Sequence, residues 1–146
     1  MYNKILVPLD GSNRAERILP HVEELARQFE AEIIFLFVVE PIIYALDLYN
    51  YSGGINFELT ERSVEEGKTY LNSVEDKFRE KNIKAKVCVE SGSVVSTIIE
   101  VAEREGVDLI AMASHGRSGL SHVFYGSVAI GILHRVDRPL LIVRSL

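Results

Sequence analysis

The sequence predicts an α/β fold: a single open, doubly wound parallel sheet of five strands with helices on both faces. Three observations carry that expectation. Five short apolar runs, at Ile5 to Leu9, Ile33 to Val39, Ala85 to Val89, Leu109 to Met112 and Leu140 to Val143, alternate with segments of helical period, the order that parallel strands joined by helices produce. The runs are apolar throughout, as strands covered on both faces are. The intervening helices keep most of their charges off the apolar stripe, and right-handed crossovers between such elements wind the sheet open and doubly covered.

Taken in order, the first run ends in Asp10-Gly11-Ser12, a turn-forming group. Ala15, Ile18, Leu19, Val22, Leu25, Ala26 and Phe29 then recur at three- and four-residue intervals and define the first helix. Pro20 interrupts that stripe and predicts a kink or local break. After the second run, periodicity disappears between Pro41 and Leu59, where Tyr44, Tyr49, Tyr51 and Phe57 surround Ser52-Gly53-Gly54. A long irregular loop is expected there, serving either as a lid or partner-binding segment or as a cover for its own core. Val64, Leu71, Val74 and Phe78 mark the second helix, Val95, Ile98, Ile99 and Ala102 the third, and Ala129, Ile132, Leu133 and Val136 the fourth. The last run is short, apolar and near the chain end, which suits a sheet edge, and exposed apolar edges tend to pair.

Composition narrows the function classes. A chain of 146 residues reads as one domain, residues 1–146, able to bury about 68–70% of its unfolded surface. The net charge of −5, with cations scattered along the chain, offers no basic face for nucleic acid. The longest mainly apolar run, Ile33 to Val39, is far shorter than the roughly 18 residues of a membrane span. No basic segment followed by an apolar core opens the chain, so export is not expected and a cytoplasmic location is. The single cysteine, Cys88, lies in a strand-like run and reads as a small buried hydrophobe.

The chemistry concentrates in Met112-Ala113-Ser114-His115-Gly116-Arg117-Ser118-Gly119 and in Gly126-Ser127, which closes the segment ten residues after Gly116. Small residues where a buried strand turns over to a helix expose backbone amides at the helix start, and those amides with the helix dipole favour an anion such as phosphate. Each glycine alone serves as readily as a turn residue. Gly126 is expected to combine a turn with a close phosphate approach, where a side chain would both strain and block. Ala113 is expected in an extended strand end with negative φ. Ser127 suits the N-cap of the fourth helix, with or without a ligand. Asp10 suits equally a helix cap, a turn or a contact at the carboxyl end of the first strand. The complete phosphate-loop pattern Gly-x-x-x-x-Gly-Lys-Ser/Thr is absent, as are Gly-x-Gly-x-x-Gly and the Gly-x-Ser-x-Gly elbow. The histidine spacing matches no metal-binding face of a helix.

These residues resemble the universal stress protein family. The pattern Gly, two residues, Gly, nine residues, Gly-Ser/Thr marks its ATP-binding branch, and Gly116, Gly126 and Ser127 are in register with it, whereas Ala113 stands where the first glycine is expected. The resemblance extends to Lys4-Ile5-Leu6-Val7-Pro8-Leu9-Asp10-Gly11-Ser12, Gly106-Val107-Asp108-Leu109-Ile110 and Arg138-Pro139-Leu140-Leu141-Ile142-Val143, and so covers nearly the whole chain. It implies a Rossmann-like strand order of 3-2-1-4-5. It also implies an ATP site in which Pro8 and Asp10 lie beside the adenosine and Val38 offers main-chain contacts to the adenine. The main chain around Ala113, Gly116, Gly126 and Ser127 would hold ribose and phosphates, with His115 and Arg117 as accessory groups. Mg²⁺ would arrive with the nucleotide, and no metal site belongs to the chain itself. The function expected is a cytoplasmic, nucleotide-dependent stress-response regulator with little or no ATP turnover, at most a slow ATPase, paired as a homodimer through the last strand and open to protein partners. The alternative is a nucleotide-free dimeric adaptor of the same fold, to which Ala113 gives standing.

Overall fold

The computed structural model describes residues 1–41, 53–115 and 126–145, and of residues 53–59 the backbone alone. Its strands are β1 (Lys4–Pro8), β2 (Glu32–Val39), β3 (Ala85–Ser91), β4 (Leu109–Ala113) and β5 (Leu140–Val143). All pair in parallel, in the order β3-β2-β1-β4-β5. Each strand coincides with its apolar run to within a residue or two. Ile5 of the central strand lies opposite Ile33 on one side and Leu109 on the other.

The helices are α1 (Leu19–Phe29), α2 (Gly53–Glu80), α3 (Val94–Glu105) and α4 (Ser127–Arg135). Alternate strand residues point to opposite faces, and here both faces are apolar. Ile5, Val7, Ile33 and Phe35 meet Val22, Leu71 and Phe78 of α1 and α2. Leu6, Ile34, Leu36 and Ile110 meet Ile98, Val101 and Ile132 of α3 and α4. The two cores explain why the strand runs show no polar alternation. The first two crossovers cover one face and the last two the other, so the winding reverses between β1 and β4, and a crevice opens at their carboxyl ends.

At Pro20 the expected break takes the form of one 3-10 turn, Ala15–Ile18, that hands over to α1 at Leu19. Proline is tolerated there because the first-turn amides of a helix have no intrahelical carbonyl to bond.

The loop expected from Pro41 to Leu59 is corrected at its far end. The α2 backbone already begins at Gly53, so Gly53, Gly54, Phe57 and Leu59 are helical, while Tyr44, Tyr49, Tyr51 and Ser52 lie outside the described residues. Extending a nucleated helix adds a hydrogen bond for each residue fixed, and a glycine opposes that by only about 1 kcal/mol. Later in α2, Gly67 lets the helix close on the sheet: a Cβ there would lie 2.7 Å from Cδ1 of Phe37.

Candidate functional site

The crevice at the switch point encloses about 180 Å³. It brings together Pro8 and Asp10 from the end of β1, Val38 from β2, and Ala113 and His115 from the end of β4. Gly126 and Ser127 begin α4 beside it, and the next residue, Val128, lines it. Gly116 and Arg117 lie outside the described residues. Sequence reasoning missed the apolar bed of Leu36, Ile98 and Met112, together with Glu40 and Val94. The last two follow β2 and open α3, so the rule that ligands sit where strands end and helices begin would have found them.

Asp10 holds the turn that leaves β1. Its Oδ1 accepts the Ser12 amide at 2.9 Å and the Ser12 hydroxyl at 2.6 Å. Ser12 Oγ in turn accepts the Ala15 amide at 3.1 Å, so of the roles expected for Asp10 its hydrogen bonds fill the turn, and Arg14 is the N-cap of the 3-10 turn that follows. Gly11 between them has φ 87°, a left-handed conformation that favours glycine. The carboxylate is thereby fixed at the mouth of the crevice.

Val38 is placed by strand geometry. The Leu36 carbonyl accepts Leu9 N on the β1 side, and the Val39 carbonyl accepts Gly92 N on the β3 side. Alternation along the strand therefore directs the N–H and C=O of Val38 toward the β1 side, past Pro8, where β1 has ended. A main-chain donor and acceptor face the crevice together.

At the end of β4, Ala113 is 5% exposed, pairs in register with Val143 and has no positive φ, as its sequence setting predicts. Gly126 corrects two expectations. Its φ is −64°, so a side chain would meet no backbone strain, and the constraint is contact: a Cβ would lie 2.7 Å from the Ser114 carbonyl oxygen. Gly126 is also itself the N-cap of α4, because its carbonyl accepts Ile130 N at 3.1 Å. Ser127 is therefore the first helical residue and not the cap, and its side chain is exposed.

Beneath this junction lies a buried polar cluster. The Ser114 amide donates to the Val143 carbonyl at 2.8 Å. Ser114 Oγ lies 3.0 Å from His115 Nδ1 and accepts the Ser145 amide at 3.1 Å. Ser145 Oγ accepts the His115 amide and donates to the His115 carbonyl, both at 3.2 Å. Ser145, two residues after β5, is thus clamped to the residue that lines the crevice.

Other chemistry is not assembled. Among the described residues no three His, Cys, Asp or Glu side chains are grouped to hold a metal ion. A Gly67-Lys68-Thr69 triplet occurs, but Arg62 stands where a phosphate loop needs its first glycine, and the triplet lies inside α2. His21 and His134 are exposed. Cys88 is half-buried beside Glu90 and Arg104, and burial raises its thiol pKa, the setting of an unreactive cysteine. No helix among the described residues is long and apolar enough to cross a membrane.

A profile described as the universal stress protein family matches residues 1–144. Universal stress protein MJ0577 of Methanocaldococcus jannaschii is 31% identical, with 99% of this chain and 96% of that protein aligned. Universal stress protein YxiE of Bacillus subtilis is 30% identical over 99% of this chain and all of its own length. The solved structure of MJ0577 superposes with a TM-score of 0.87 at 30% identity, covering 99% of this chain and 96% of that one. A universal stress protein described in complex with cAMP shares the fold at a TM-score of 0.71 and 18% identity, covering 99% and 98% of the two chains.

Proposed function

The chain belongs to the universal stress protein family, and from that premise we propose that it is a cytoplasmic ATP-binding regulator of a stress response, with residues 1–146 acting as one domain. The observation that carries this reading is the convergence of Asp10, the main chain of Val38, Ala113 and the start of α4 on one crevice with an apolar bed. Apolar walls with a few converging polar groups are the usual make-up of a small-molecule site. In this reading the adenine lies over Leu36 and Met112 and is read by the N–H and C=O of Val38. Pro8 and Asp10 flank the adenosine. The phosphates run toward the first amides of α4, where Gly126 and Ser127 present backbone donors and the Ser127 hydroxyl adds another. Gly116, Arg117 and His115 complete the phosphate end, and Mg²⁺ comes with the nucleotide. A protein of this fold that holds cAMP is in keeping with an adenine nucleotide here.

The groups in the crevice suit binding more than hydrolysis. Phosphoryl transfer needs a positioned base or water-orienting group and charge stabilisation at the transferring phosphoryl, and the described lining offers no cation. The proposed regulator turns ATP over slowly at most.

The two edges of the sheet differ in a way that favours a homodimer through β5. On β3, Lys86 and Glu90 are salt-bridged to Glu105 and Arg104 of α3, and charges on an edge strand discourage pairing. The β5 segment Leu140–Val143 carries no charge. The nucleotide-free adaptor remains the second reading, because Ala113 departs from the family's glycine. Native mass spectrometry of freshly purified protein, followed by titration with ATP, tests the choice. Retained or added ATP at one per chain supports the regulator, and protein that neither retains nor binds ATP supports the adaptor.

A further inference from the structure

His115 is 4% exposed and lines the crevice, yet only one of its ring nitrogens is accounted for. Nδ1 meets Ser114 Oγ, and among the described residues no hydrogen bond reaches Nε2. Buried polar atoms without a partner are uncommon and costly. The surrounding serines determine what Nε2 offers. Ser145, itself fully buried, commits its hydroxyl hydrogen to the His115 carbonyl, and its amide donates to Ser114 Oγ. Ser114 Oγ, which already accepts the Ser145 amide, still has its own hydrogen to give, and His115 Nδ1 at 3.0 Å is the acceptor that the described residues offer it. With Nδ1 accepting, the proton of the neutral ring is on Nε2.

The ring lies against the helix start. His115 Cδ2, the carbon bonded to Nε2, lies 3.5 Å from where a Cβ on Gly126 would be. Gly126 is the N-cap of the nine-residue α4, whose first amides have no intrahelical partner. A buried donor thus stands beside backbone donors, and no acceptor for it is supplied by the described chain.

Resting on the nucleotide reading above and deepening it, we propose that His115 Nε2–H donates to a phosphate oxygen of the bound nucleotide, with Ser114 and Ser145 as positioning residues that hold the ring in this donor tautomer. The site then selects its phosphate by the direction of a hydrogen bond. Two serines that never touch the ligand set its affinity.

The test combines spectroscopy with titration. A long-range ¹H–¹⁵N spectrum of nucleotide-free wild type is expected to show Nε2 protonated and Nδ1 bare, and ATP should shift the Nε2–H resonance and slow its exchange with water. In calorimetric titration, His115→Phe should lose about tenfold in ATP affinity, the effect of one hydrogen bond to a charged group, and lose less for adenosine. His115→Gln, which carries an N–H of similar reach, should recover most of the loss. Ser114→Ala should mix the tautomers and weaken ATP alone. An Nδ1–H tautomer in wild type, unchanged ATP affinity in His115→Phe, or equal losses for adenosine and ATP would each overturn the assignment and leave the nucleotide reading standing. A wild type that binds neither ligand would overturn both. The tautomer is read on wild type, so it does not depend on any variant folding.

Discussion

Gly126 donates its amide to the carbonyl oxygen of Ser114 at 2.8 Å, and a Cβ built on Gly126 would lie 2.7 Å from that same oxygen. The start of α4 is thereby pressed against the end of β4 at backbone distance. No rotamer change relieves a clash with a carbonyl, so any side chain must displace the helix start itself. Overpacking of this kind costs about 1–3 kcal/mol. Gly126→Ala is expected to lose stability in that range in urea unfolding and to weaken ATP binding more than its stability loss predicts. Ala113→Gly, at a position of ordinary backbone geometry, should change ATP affinity by less than about 1 kcal/mol.

Asp10 and Ser12 make a second, separable prediction. Ser12→Ala removes the hydroxyl that accepts the Ala15 amide and should cost about 0.5–1.5 kcal/mol of stability, the net worth of one such hydrogen bond. Asp10→Asn keeps an oxygen for the Ser12 amide while removing the charge at the crevice mouth. Thermal unfolding should therefore move more for Ser12→Ala, and ATP titration should move more for Asp10→Asn.

Asp108 gives the fold an acid-sensitive tie. Its Oδ2 accepts the amides of Asn3 and Lys4 at 2.6 and 2.9 Å, joining the start of β1 to the approach to β4. Those backbone hydrogen bonds, first Lys4 and then Asn3, hold its carboxyl below the ordinary aspartate value. A folded pKa below the unfolded one contributes stability above the unfolded value, about 3.9, and that contribution disappears as pH falls through the folded value. Asp108→Asn should unfold more readily at neutral pH and show a shallower loss of stability below about pH 4 than wild type in parallel urea titrations.

Much of this was legible in the chain, for reasons that differ by element. The strands announce themselves because both sheet faces are buried, which leaves unbroken apolar runs such as Ile33 to Val39. Pro20 marked the junction between the 3-10 turn and α1 because proline removes a specific amide. The start of α2 at Gly53 was hidden, since local propensity there is poor and the helix extends from a nucleus farther along. Asp10, Val38 and Ala113 were placed together only through the family resemblance. Ser145 carried no local signal at all, because its partners Ser114 and His115 lie some thirty residues away, across the β4–β5 pairing. The capping role of Ser127 was misplaced by one residue, since Gly126 takes it through backbone geometry alone.

The β5 edge yields the fourth prediction. Val143 and Pro139 direct their carbonyls to Ser114 and Ile110 of β4 and the turn after it, so alternation leaves the N–H and C=O of Leu140 and Ile142 facing outward. In the proposed dimer these groups would pair with a second copy. Wild type should sediment at about twice the 16.4 kDa chain mass. Ile142→Pro removes an outward donor, a substitution that edge strands tolerate, and should sediment as a monomer at micromolar concentration with an unchanged circular dichroism spectrum. A wild type that is monomeric at every concentration would refute the pairing.

Amide chemical-shift mapping with ATP reads occupancy of the crevice and the place of binding together. Titrating ATP into isotope-labelled, nucleotide-free protein should saturate at one nucleotide per chain. The largest shifts should fall on Asp10, Val38, Ala113, His115 and Ser127, while Ala31 and Lys84 at the opposite end of the sheet stay unmoved, and turnover in the same sample should remain below about 1 s⁻¹. Saturation with shifts confined elsewhere, or no shifts at millimolar ATP, would contradict the account.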